Sequence, residues 1–522
     1  MIIIDDPQGH REIAAADGRA TLDDLFRRTA LRRPDAIALT DPPNREAFTD
    51  GPPRRLTFAE ADRMISAIAA MLRQMSLRGD AIVGLQITNT VESVLTLLAV
   101  LRAGLIVMPL PLLWGRAEIV SALSQVGAQA LIVSGRIGKT NHVDLAMQLA
   151  AETFSVRFVC AFGRNSHDGV VSLDDVLAST KPGSPPLAQS VNAGPPGPGT
   201  RLAVVTWDFT SDGLVPVARS HAEVIAGGLA IPLESRLPQD AAILSTLPTS
   251  SFAGLATAIV PWLLTGGRLA LHHPFDLATF ATQCSASDTV IVPGVLAAAL
   301  VEAGHLRDEH GVRRVIGIWR APERLFRATP WQHSALALTD VQVFGEIGLL
   351  AARRNSSGLP AAIKFGPVPA PSEEPGALIV AQLRRTESGT LALAGPMVPR
   401  TAFPAGAERA RLPTLKLLAD GFTDTGYACR PDSVIVTGPP PGLICVGGYR
   451  FVPGDLEAVV NGIDRAATLA ALPDALAGHR LAGAAGDRSQ VANELMRLGV
   501  NPLIAGAFHA DGPAADDRGH RT

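Results

Sequence analysis

The stretch TSDGLVPVARSH at residues 210–221 lies between an apolar run, LAVVTWDF, and a helix-like run, AEVIAGGLAI. A strand, a glycine-containing loop and a helix in this order hold a phosphate in many proteins, because backbone N–H groups and the helix dipole converge on the anion. This loop contains one glycine and no lysine. The pattern therefore predicts an α/β scaffold for a phosphate whose usual positive charge is missing.

The composition is that of an ordinary globular protein. The chain has 522 residues, of which 47% are hydrophobic and 18% charged, so it is long enough for more than one domain and for a large core. Its 46 basic and 49 acidic residues give a formal net charge of −3. This balance carries no electrostatic footprint for nucleic acid or anionic lipid, and we expect neither as a partner.

Neither a targeting segment nor a membrane span is expected. The N-terminus, MIIIDDPQGH, reaches two aspartates at once and lacks the basic region and long apolar core of a signal peptide. The longest apolar stretch, VLTLLAVLRAGLIVMPLPLLW, is interrupted by Arg102, Gly104 and two prolines, which favours a helix, a turn and a buried strand. The four cysteines are scattered without CxxC pairing, which fits buried thiols and a cytoplasmic location.

Apolar runs of strand length alternate with helix-like segments along most of the chain. TLDDLFRRTALRRP and TFAEADRMISAIAAMLRQM have apolar residues at helical spacing, and each begins at a threonine followed by acidic residues, as N-caps do. Buried strands are predicted at AIVGLQI, LIVMPL, ALIVSG, RFVCAF, LAVVTW, AAILSTL, RLALHH, TVIVPG and VRRVIGI. Strands that alternate with helices predict the α/β fold class, with sheets covered by helices on both faces.

Two stretches rich in proline and glycine interrupt this pattern. KPGSPPLAQSVNAGPPGPG (181–199) is typical of a surface linker within a domain, and TGPPPG (437–442) is typical of a domain boundary. We therefore expect a large N-terminal domain over 1–438 and a small, shortened α+β C-terminal domain over 443–522. The consecutive prolines of the second stretch fix φ and favour a stiff hinge.

The stretch quoted first resembles the glycine-rich nucleotide loop of adenylate-forming acid ligases, the acyl- and aryl-CoA synthetase superfamily, whose loop has the form TSGTTGxPKGVxxSH. Further segments resemble landmarks of this superfamily in the same order over nearly the whole chain. They are RAGLIVMPL (102–110) for an early helix and strand, LPTSSFAGL (247–255) for LPxxHxxGL, IWRAPERL (318–325) for the GAP segment beside adenine, VFGEIGLL (343–350) for YGxTE, DGFTDTGYACR (420–430) for DGWxxTGD and LICVGGYRFVPGDLEAVV (443–460) for IKxxGxxxxPxEIE. The chain is thereby identified as a divergent member, with a large AMP-binding-type domain and a small C-terminal domain.

The resemblance implies a reaction in two steps. An acyl or aryl acid attacks the α-phosphate of ATP to give an acyl-adenylate and pyrophosphate, and a thiol then displaces AMP. The implied cofactors are ATP, Mg²⁺ and coenzyme A or phosphopantetheine as the thiol, and the implied partners are a small organic acid and an acyl carrier protein. Such a reaction needs cations and hydrogen-bond donors around the phosphates and a carboxylate for magnesium.

The resemblance also assigns roles to residues of this chain. Arg219, the only cation in the loop, is assigned to phosphate, and Glu346 is assigned to catalysis as the magnesium ligand. The second assignment requires FG–EIG to be aligned with YGxTE with two residues deleted; in the ungapped alignment, Gly348 takes the acidic position. The residues expected to contact the nucleotide or the thiol are Thr210, Ser211, Gly213, Ala321, Pro322, Phe344, Gly345, Tyr427, Gly447 and Gly448. The residues expected to line the acid pocket are His221, Ser251, Phe252 and Gly254.

Several positions depart from the superfamily pattern. The loop is shorter and lacks its lysine, and Ser251 replaces a histidine. Trp319 and Arg320 stand where small residues usually let adenine approach, and Tyr427 replaces the aspartate that binds ribose. No lysine follows Lys416, so the C-terminal lysine on which adenylation relies has no counterpart. The scaffold for phosphate binding is present, but much of its charge is not.

Two functions from different classes remain open on the sequence. The first is a divergent AMP-forming ligase that activates an organic acid for transfer to coenzyme A or a carrier-protein thiol. The alternative is a catalytically degenerate homologue that binds an acyl group, a nucleotide or a carrier protein. Ser220 and Glu223 have the form of a capping box, which explains both residues without catalysis. His221 is compatible with the acid pocket and with the surface.

Overall fold

The structure, a computed structural model, describes most of the chain. The described ranges are 2–5, 11–14, 20–163, 167–179, 199–306, 311–327, 329–333, 335–371, 378–407, 412–474 and 476–509. The predicted linker, apart from Gly199, and the C-terminal tail after His509 lie outside these ranges.

The α-helices include both of those predicted from helical spacing and N-caps. They are α1 Leu22–Arg32, α2 Phe58–Gln74, α3 Val91–Arg102, α4 Arg116–Val126, α5 His142–Glu152, α6 Leu173–Ala178, α7 His221–Ser235, α8 Phe252–Gly254, α9 Val260–Thr265, α10 Leu277–Cys284, α11 Gly294–Glu302, α12 Pro453–Ile463, α13 Arg488–Leu498 and α14 Pro502–Gly506. A π-helical turn, Leu255–Ile259, joins α8 to α9, and a 3-10 helix covers Pro322–Arg327. The N-caps predicted for α1 and α2 are confirmed, because Thr21 and Thr57 each form a capping box.

Each strand that was predicted from an apolar run is present. The strands are β1 Ile2–Asp5, β2 Arg11–Ala14, β3 Ile37–Thr40, β4 Arg55–Thr57, β5 Ile82–Gln86, β6 Ile106–Pro109, β7 Ala130–Ser134, β8 Arg136–Ile137, β9 Thr140–Asn141, β10 Phe158–Phe162, β11 Val170–Ser172, β12 Leu202–Thr210, β13 Gly213–Ser220, β14 Ala242–Ser245, β15 Arg268–Leu271, β16 Thr289–Pro293, β17 Arg314–Trp319, β18 Ala337–Phe344, β19 Gly348–Arg353, β20 Gly366–Pro369, β21 Leu378–Arg385, β22 Thr390–Ala394, β23 Lys416–Leu417, β24 Thr423–Cys429, β25 Val436–Gly438, β26 Ile444–Val446, β27 Tyr449–Phe451, β28 Thr468–Asp474 and β29 Gly478–Ala484.

Two largely parallel sheets dominate the structure. The first has the strand order β11-β10-β7-β5-β6-β12-β13, and the second has the order β19-β18-β17-β16-β14-β15-β3-β4. In both, the central strands pair in parallel, and antiparallel pairing is confined to β13, β19 and β4 at the edges. A third sheet, of mainly antiparallel strands, contains β20–β25 together with β1 and β2. The predicted α/β fold class is confirmed.

The longest apolar stretch forms the helix, turn and strand that the sequence predicted. α3 is buried over almost its whole length, Gly104 makes the turn in the left-handed region with φ +80°, and β6 follows in the first sheet. Across the described ranges, no helix is both long and apolar enough to cross a membrane. The apolar stretch therefore belongs to the core of the protein.

The chain divides into two compact units. The larger contains residues 1–112 and 122–441, and the smaller contains residues 113–121 and 442–522. The division falls inside the proline-rich stretch 437–442, and the segment 113–121 joins the smaller unit although it precedes most of the larger one. The smaller unit has the sheet β27-β26-β29-β28 and a separate core that includes Phe451, Leu495 and Phe508.

Candidate active site

One edge of the second sheet collects three predicted site residues together with Arg320, which was not predicted to belong to the site. Ser251 follows β14, Arg320 follows β17, and Gly345 and Glu346 follow β18. Because these strands are parallel, their carboxyl ends lie at the same edge, where open α/β sheets bind ligands. Ser251, Arg320 and Gly345 are partly exposed, whereas Glu346 is buried. We call this edge the carboxyl edge of the second sheet.

Residues 202–220 form a β-hairpin, so a second strand, β13, lies between the glycine-containing turn and the helix. β12 and β13 pair up to Thr210 and Gly213, so that only Ser211 and Asp212 remain between the strands. The Thr210 hydroxyl donates to the Gly213 carbonyl and accepts from the Asp212 N–H, each at 3.3 Å. These contacts close the turn on itself. A turn of two residues offers too few free N–H groups to surround a phosphate.

The start of α7 is closed by a capping box, as predicted. The Ser220 hydroxyl accepts from the Glu223 N–H at 3.2 Å, and the Glu223 carboxylate accepts from the Ser220 N–H at 2.7 Å. His221 is buried, and its Nδ1 accepts from the Leu22 N–H at 3.3 Å. Burial lowers the pKa of His221 to about 4, so the imidazole is neutral at pH 7. His221 therefore packs against the start of α1 and does not lie at the surface.

Arg219 points into the protein and is 1% exposed. Its Nη2 donates to the carbonyls of Glu346 and Ile347, and its Nε donates to the Met397 carbonyl at 3.3 Å. The guanidinium carbon lies 3.8 Å from the centre of the Phe252 ring, a cation–π contact. Burial lowers the pKa of Arg219 to about 10, which leaves it charged at pH 7. This position does not support the predicted contact with phosphate.

Glu346 occupies the tight turn between β18 and β19, with its side chain directed inward. It is 8% exposed, and its carboxylate accepts from the Phe252 N–H at 2.7 Å. Burial, followed by the charge of Asp208, raises the pKa of Glu346 to about 7. The Asp208 carboxylate in turn accepts from the Glu346 N–H at 2.8 Å. The carboxylate of Glu346 therefore anchors the start of α8.

Asp208, Arg219 and Glu346 form a buried charge cluster that joins three sheets. Asp208 and Arg219 come from the edge hairpin of the first sheet, and Glu346 comes from the second. Met397, whose carbonyl accepts from Arg219, follows β22 of the third sheet. Both residues that were predicted to be catalytic thus hold the fold together, since a buried charge needs internal partners.

These residues do not fit a magnesium site. Mg²⁺ prefers carboxylate oxygens that are free for octahedral coordination, whereas Glu346 is directed inward and the Asp208 oxygens accept from two backbone N–H groups. Among the residues that the structure describes, no group of three or more His, Cys, Asp or Glu side chains is suited to hold a metal ion. We therefore assign no catalytic step to a metal at Glu346.

Several residues predicted to line the pocket belong to the core. Phe252 and Phe344 are fully buried, and Tyr427 is 2% exposed, with its ring 5.6 Å from that of Phe344. Gly254 is also buried, and a Cβ atom there would meet the Pro248 carbonyl oxygen at 2.0 Å. The glycine is therefore required for close packing of α8. Tyr427, predicted to contact the nucleotide, packs against the core instead.

Two adjacent residues of the segment IWRAPERL (318–325) point in different directions, Trp319 into the core and Arg320 toward the carboxyl edge. Trp319 is buried, donates from Nε1 to Asp340 at 2.8 Å and packs on Gly294. Its side chain is therefore directed into the core and does not block the carboxyl edge, where it was expected to hinder adenine. Ala321 is partly exposed, and Pro322 begins the 3-10 helix. Arg320 lies between these two environments and reaches across the edge, where its Nη2 donates to the Ser251 hydroxyl at 3.0 Å.

Gly447 and Gly448 lie in the smaller unit, where they form the turn between β26 and β27. Both adopt positive φ, +57° and +93°, which glycine tolerates better than any other residue. The hairpin explains the glycine pair without a ligand. Contact with a thiol at this turn stays a prediction.

Solved structures of adenylate-forming enzymes share this architecture. The amide bond synthetase McbA from Marinactinospora thermotolerans is similar with a TM-score of 0.68 and 18% identity, over 93% of this chain and 94% of that chain. ATP-bound MatB from Rhodopseudomonas palustris is similar with a TM-score of 0.58 and 17% identity, over 92% of each chain. At these identities, the likeness defines the fold class.

Sequence comparison supplies the family. The family model described as AMP-binding enzyme matches residues 26–328, more than half of the chain. This chain belongs to the AMP-binding enzyme family of the adenylate-forming ligase superfamily. Among curated proteins, the nonribosomal peptide synthetase kk1B from Curvularia clavata is 31% identical over 113 residues, which are 22% of this chain and 1% of that protein. The chain thus spans only a small part of the curated relatives that it matches.

Sequence reasoning missed the role of two residues. No role was predicted for Asp208, although it precedes the first turn residue, Ser211, by three positions and accepts from the Glu346 N–H. Arg320 was interpreted as an obstacle to adenine, whereas the structure directs it to Ser251. The available signal for this pair was a double departure from the superfamily pattern. Arg320 replaces a small residue, and Ser251 replaces a histidine.

Proposed function

We propose that the protein is an acid-activating ligase. It binds a small organic acid at the carboxyl edge of the second sheet. The carboxylate attacks the α-phosphate of ATP to form the acyl-adenylate with release of pyrophosphate, and a thiol then takes the acyl group with release of AMP. Coenzyme A and the phosphopantetheine of a carrier protein are the two candidate acceptors. The similarity to segments of peptide synthetases supports the carrier protein as one of these candidates.

One observation carries this proposal. Within a chain of the AMP-binding enzyme family, Ser251, Arg320 and Gly345 come from three strand ends and remain partly exposed at one sheet edge. A sheet edge of this kind is where α/β folds bind small ligands and nucleotides. The hydroxyl and the guanidinium give it donors for an oxyanion, which acid activation requires.

The proposed reaction is slow compared with that of a fully charged site. The two-residue hairpin turn and the buried Arg219 leave few cations for the phosphates. Losing one such donor typically costs a few kcal/mol of transition-state stabilisation, roughly 10²-fold in rate. We therefore expect turnover that is dependent on the acid but weak.

A second candidate function is supported by a specific observation. Arg219 and Glu346, the two charges nearest to the family's phosphate and metal landmarks, are both engaged inside the fold. A protein that had kept the acid pocket and lost adenylation would tolerate this use of its charges. It would act as a binding module for an acid or a carrier protein.

Acid-dependent exchange of labelled pyrophosphate into ATP distinguishes the two candidates. The purified chain is incubated with ATP, Mg²⁺ and a panel containing acetate, butyrate, benzoate and malonate, and each acid is also titrated by calorimetry. Exchange above the acid-free rate supports the ligase. A phosphopantetheinylated carrier protein is titrated in the same way. Binding of an acid or of the carrier protein without exchange supports the binding module, and the absence of binding and exchange alike rejects the two functions together.

A further inference from the structure

Arg320 is a cation of the carboxyl edge that makes a single hydrogen bond to the described residues. It is partly exposed, and the Ser251 hydroxyl accepts from its Nη2 at 3.0 Å. Among the described residues, no carboxylate forms an ion pair with it. Two other arginines of the larger unit differ, because Arg219 is buried on carbonyls and Arg354 pairs with Asp340 at 2.7 Å. The remaining N–H groups of Arg320 are available to a ligand.

Ser251 fixes the direction of the guanidinium. Its hydroxyl accepts from the Gly254 N–H at 3.2 Å as the N-cap of α8, and the same oxygen accepts from Arg320. The start of α8 is itself held by the Glu346 carboxylate on the Phe252 N–H. A hydroxyl anchored in this way restricts where Arg320 presents its other donors.

We propose that Arg320 binds the carboxylate of the acid, with Ser251 as the residue that positions it. A guanidinium carries five N–H donors in a planar fork that matches the two oxygens of a carboxylate, and such charge-assisted pairs are stronger than neutral ones. The ligand class is a small organic acid in its anionic form. Uncharged carboxamides of the same shape bind more weakly, because they offer one acceptor and no charge.

This inference rests on the proposed function in that the acid enters at the carboxyl edge, but its main test measures acid binding in the absence of ATP. Calorimetric titrations compare acetate with acetamide, butyrate with butyramide and benzoate with benzamide. For the wild type, at least one acid is expected to bind about 10- to 100-fold more tightly than its amide. In Arg320→Ala this ratio is expected to fall to about one, and in Arg320→Lys to take an intermediate value.

Arg327→Ala is the matched control, because Arg327 is an exposed arginine at the end of the adjacent 3-10 helix. Its ratio of acid to amide affinity should equal that of the wild type. Circular dichroism checks that each variant is folded. If Arg320→Ala does not fold, the ratio of acid to amide affinity in Arg320→Lys tests the proposal. A merely structural role of Arg320 would weaken acid and amide alike and leave the ratio unchanged.

The proposal is overturned if Arg320→Ala keeps the wild-type ratio, or if the wild type binds none of the acids. It is also overturned if Arg320→Ala weakens ATP binding and not acid binding, since the anion would then be a phosphate. The outcomes separate the inference from the ligase reaction. An Arg320-dependent ratio without pyrophosphate exchange retains the inference and rejects the ligase, whereas exchange with an unchanged ratio does the reverse.

Discussion

Arg219 shows how a single residue in a ligand-binding motif can serve the fold. Its donors reach carbonyls that follow strands of two different sheets, and its planar group lies over the Phe252 ring. Carbonyl dipoles and an aromatic face stabilise a buried cation without a phosphate. The residue is conspicuous in the sequence because it is the only cation of the quoted stretch, yet its side chain lies inside.

We predict that Arg219→Met lowers stability and leaves ATP affinity unchanged. Methionine fills similar space but donates to none of the three carbonyls, so the free energy of unfolding should fall by about 2 to 4 kcal/mol. Urea unfolding and calorimetric titration with ATP measure the two quantities. Arg327→Met, at an exposed position, should change neither. A tenfold or larger loss of ATP affinity at unchanged stability would show that Arg219 contacts phosphate after all.

Glu346 makes stability dependent on pH. Its pKa is raised from the ordinary 4.5 to about 7 in the folded protein, chiefly by burial. A carboxyl group with a higher pKa in the folded state stabilises the fold fully below its unfolded pKa. That contribution is lost as the pH rises through the folded pKa.

Glu346→Gln mimics the protonated side chain and should remove this dependence. We predict that variant and wild type have equal free energies of unfolding at about pH 4.5. At about pH 8, the variant is expected to be more stable by about 1 to 3 kcal/mol. Urea unfolding over this pH range provides the measurement. Glu494→Gln is the control, since Glu494 is partly exposed and its one ion pair among the described residues is with Arg497, one helical turn away. A wild type that is more stable than Glu346→Gln at the alkaline end contradicts the prediction.

At the scale of elements, the hairpin of β12 and β13 changes the meaning of the quoted stretch. Its register pairs Trp207 with Pro216 and Thr210 with Gly213, which leaves no room for a wrapped loop. The hairpin delivers Ser220 to the start of α7, where the capping box closes the helix. The helix N-terminus is thus satisfied by the chain itself rather than by an anion.

We predict that Ser220→Ala weakens the helix and not ligand binding. Loss of an N-cap hydroxyl typically costs about 1 kcal/mol of stability. Urea unfolding should show this decrease, while acid affinity measured by calorimetry stays at the wild-type value. Ser285→Ala serves as the control, because Ser285 is exposed and follows α10 instead of capping its start. Reduced acid affinity at full stability would assign Ser220 to the site.

The helices and strands were predictable where a local sequence pattern decides them, whereas the side-chain contacts of the candidate site were not. Apolar runs placed β5, β6 and β14–β17, and the threonines placed the starts of α1 and α2, since periodicity and caps are properties of neighbouring residues. The direction of the Glu346 side chain depends on Asp208, 138 positions earlier in the chain. The contact of Arg320 with Ser251 spans 69 positions. Neither separation leaves a local signal.

In the molecule as a whole, buried charged residues of the larger unit link its sheets to one another. The cluster of Asp208, Arg219 and Glu346 connects the first, second and third sheets. Arg320 and Ser251 remain at the surface of the same edge. The structural charge cluster is therefore distinct from the pair that we propose to bind the ligand.

The central claim is that this chain still forms an acyl-adenylate, although slowly. The most direct measurement is a single-turnover assay, in which enzyme, ATP and Mg²⁺ are mixed with an acid that the protein binds, quenched over time and analysed by mass spectrometry for the acyl-AMP. Stoichiometric enzyme reveals a slow step that steady-state assays miss, because the product stays bound. We predict acyl-AMP that accumulates toward one equivalent per enzyme and is strongly reduced in Arg320→Ala. Binding of both acid and ATP with no acyl-AMP at any time would contradict the claim and leave a binding module.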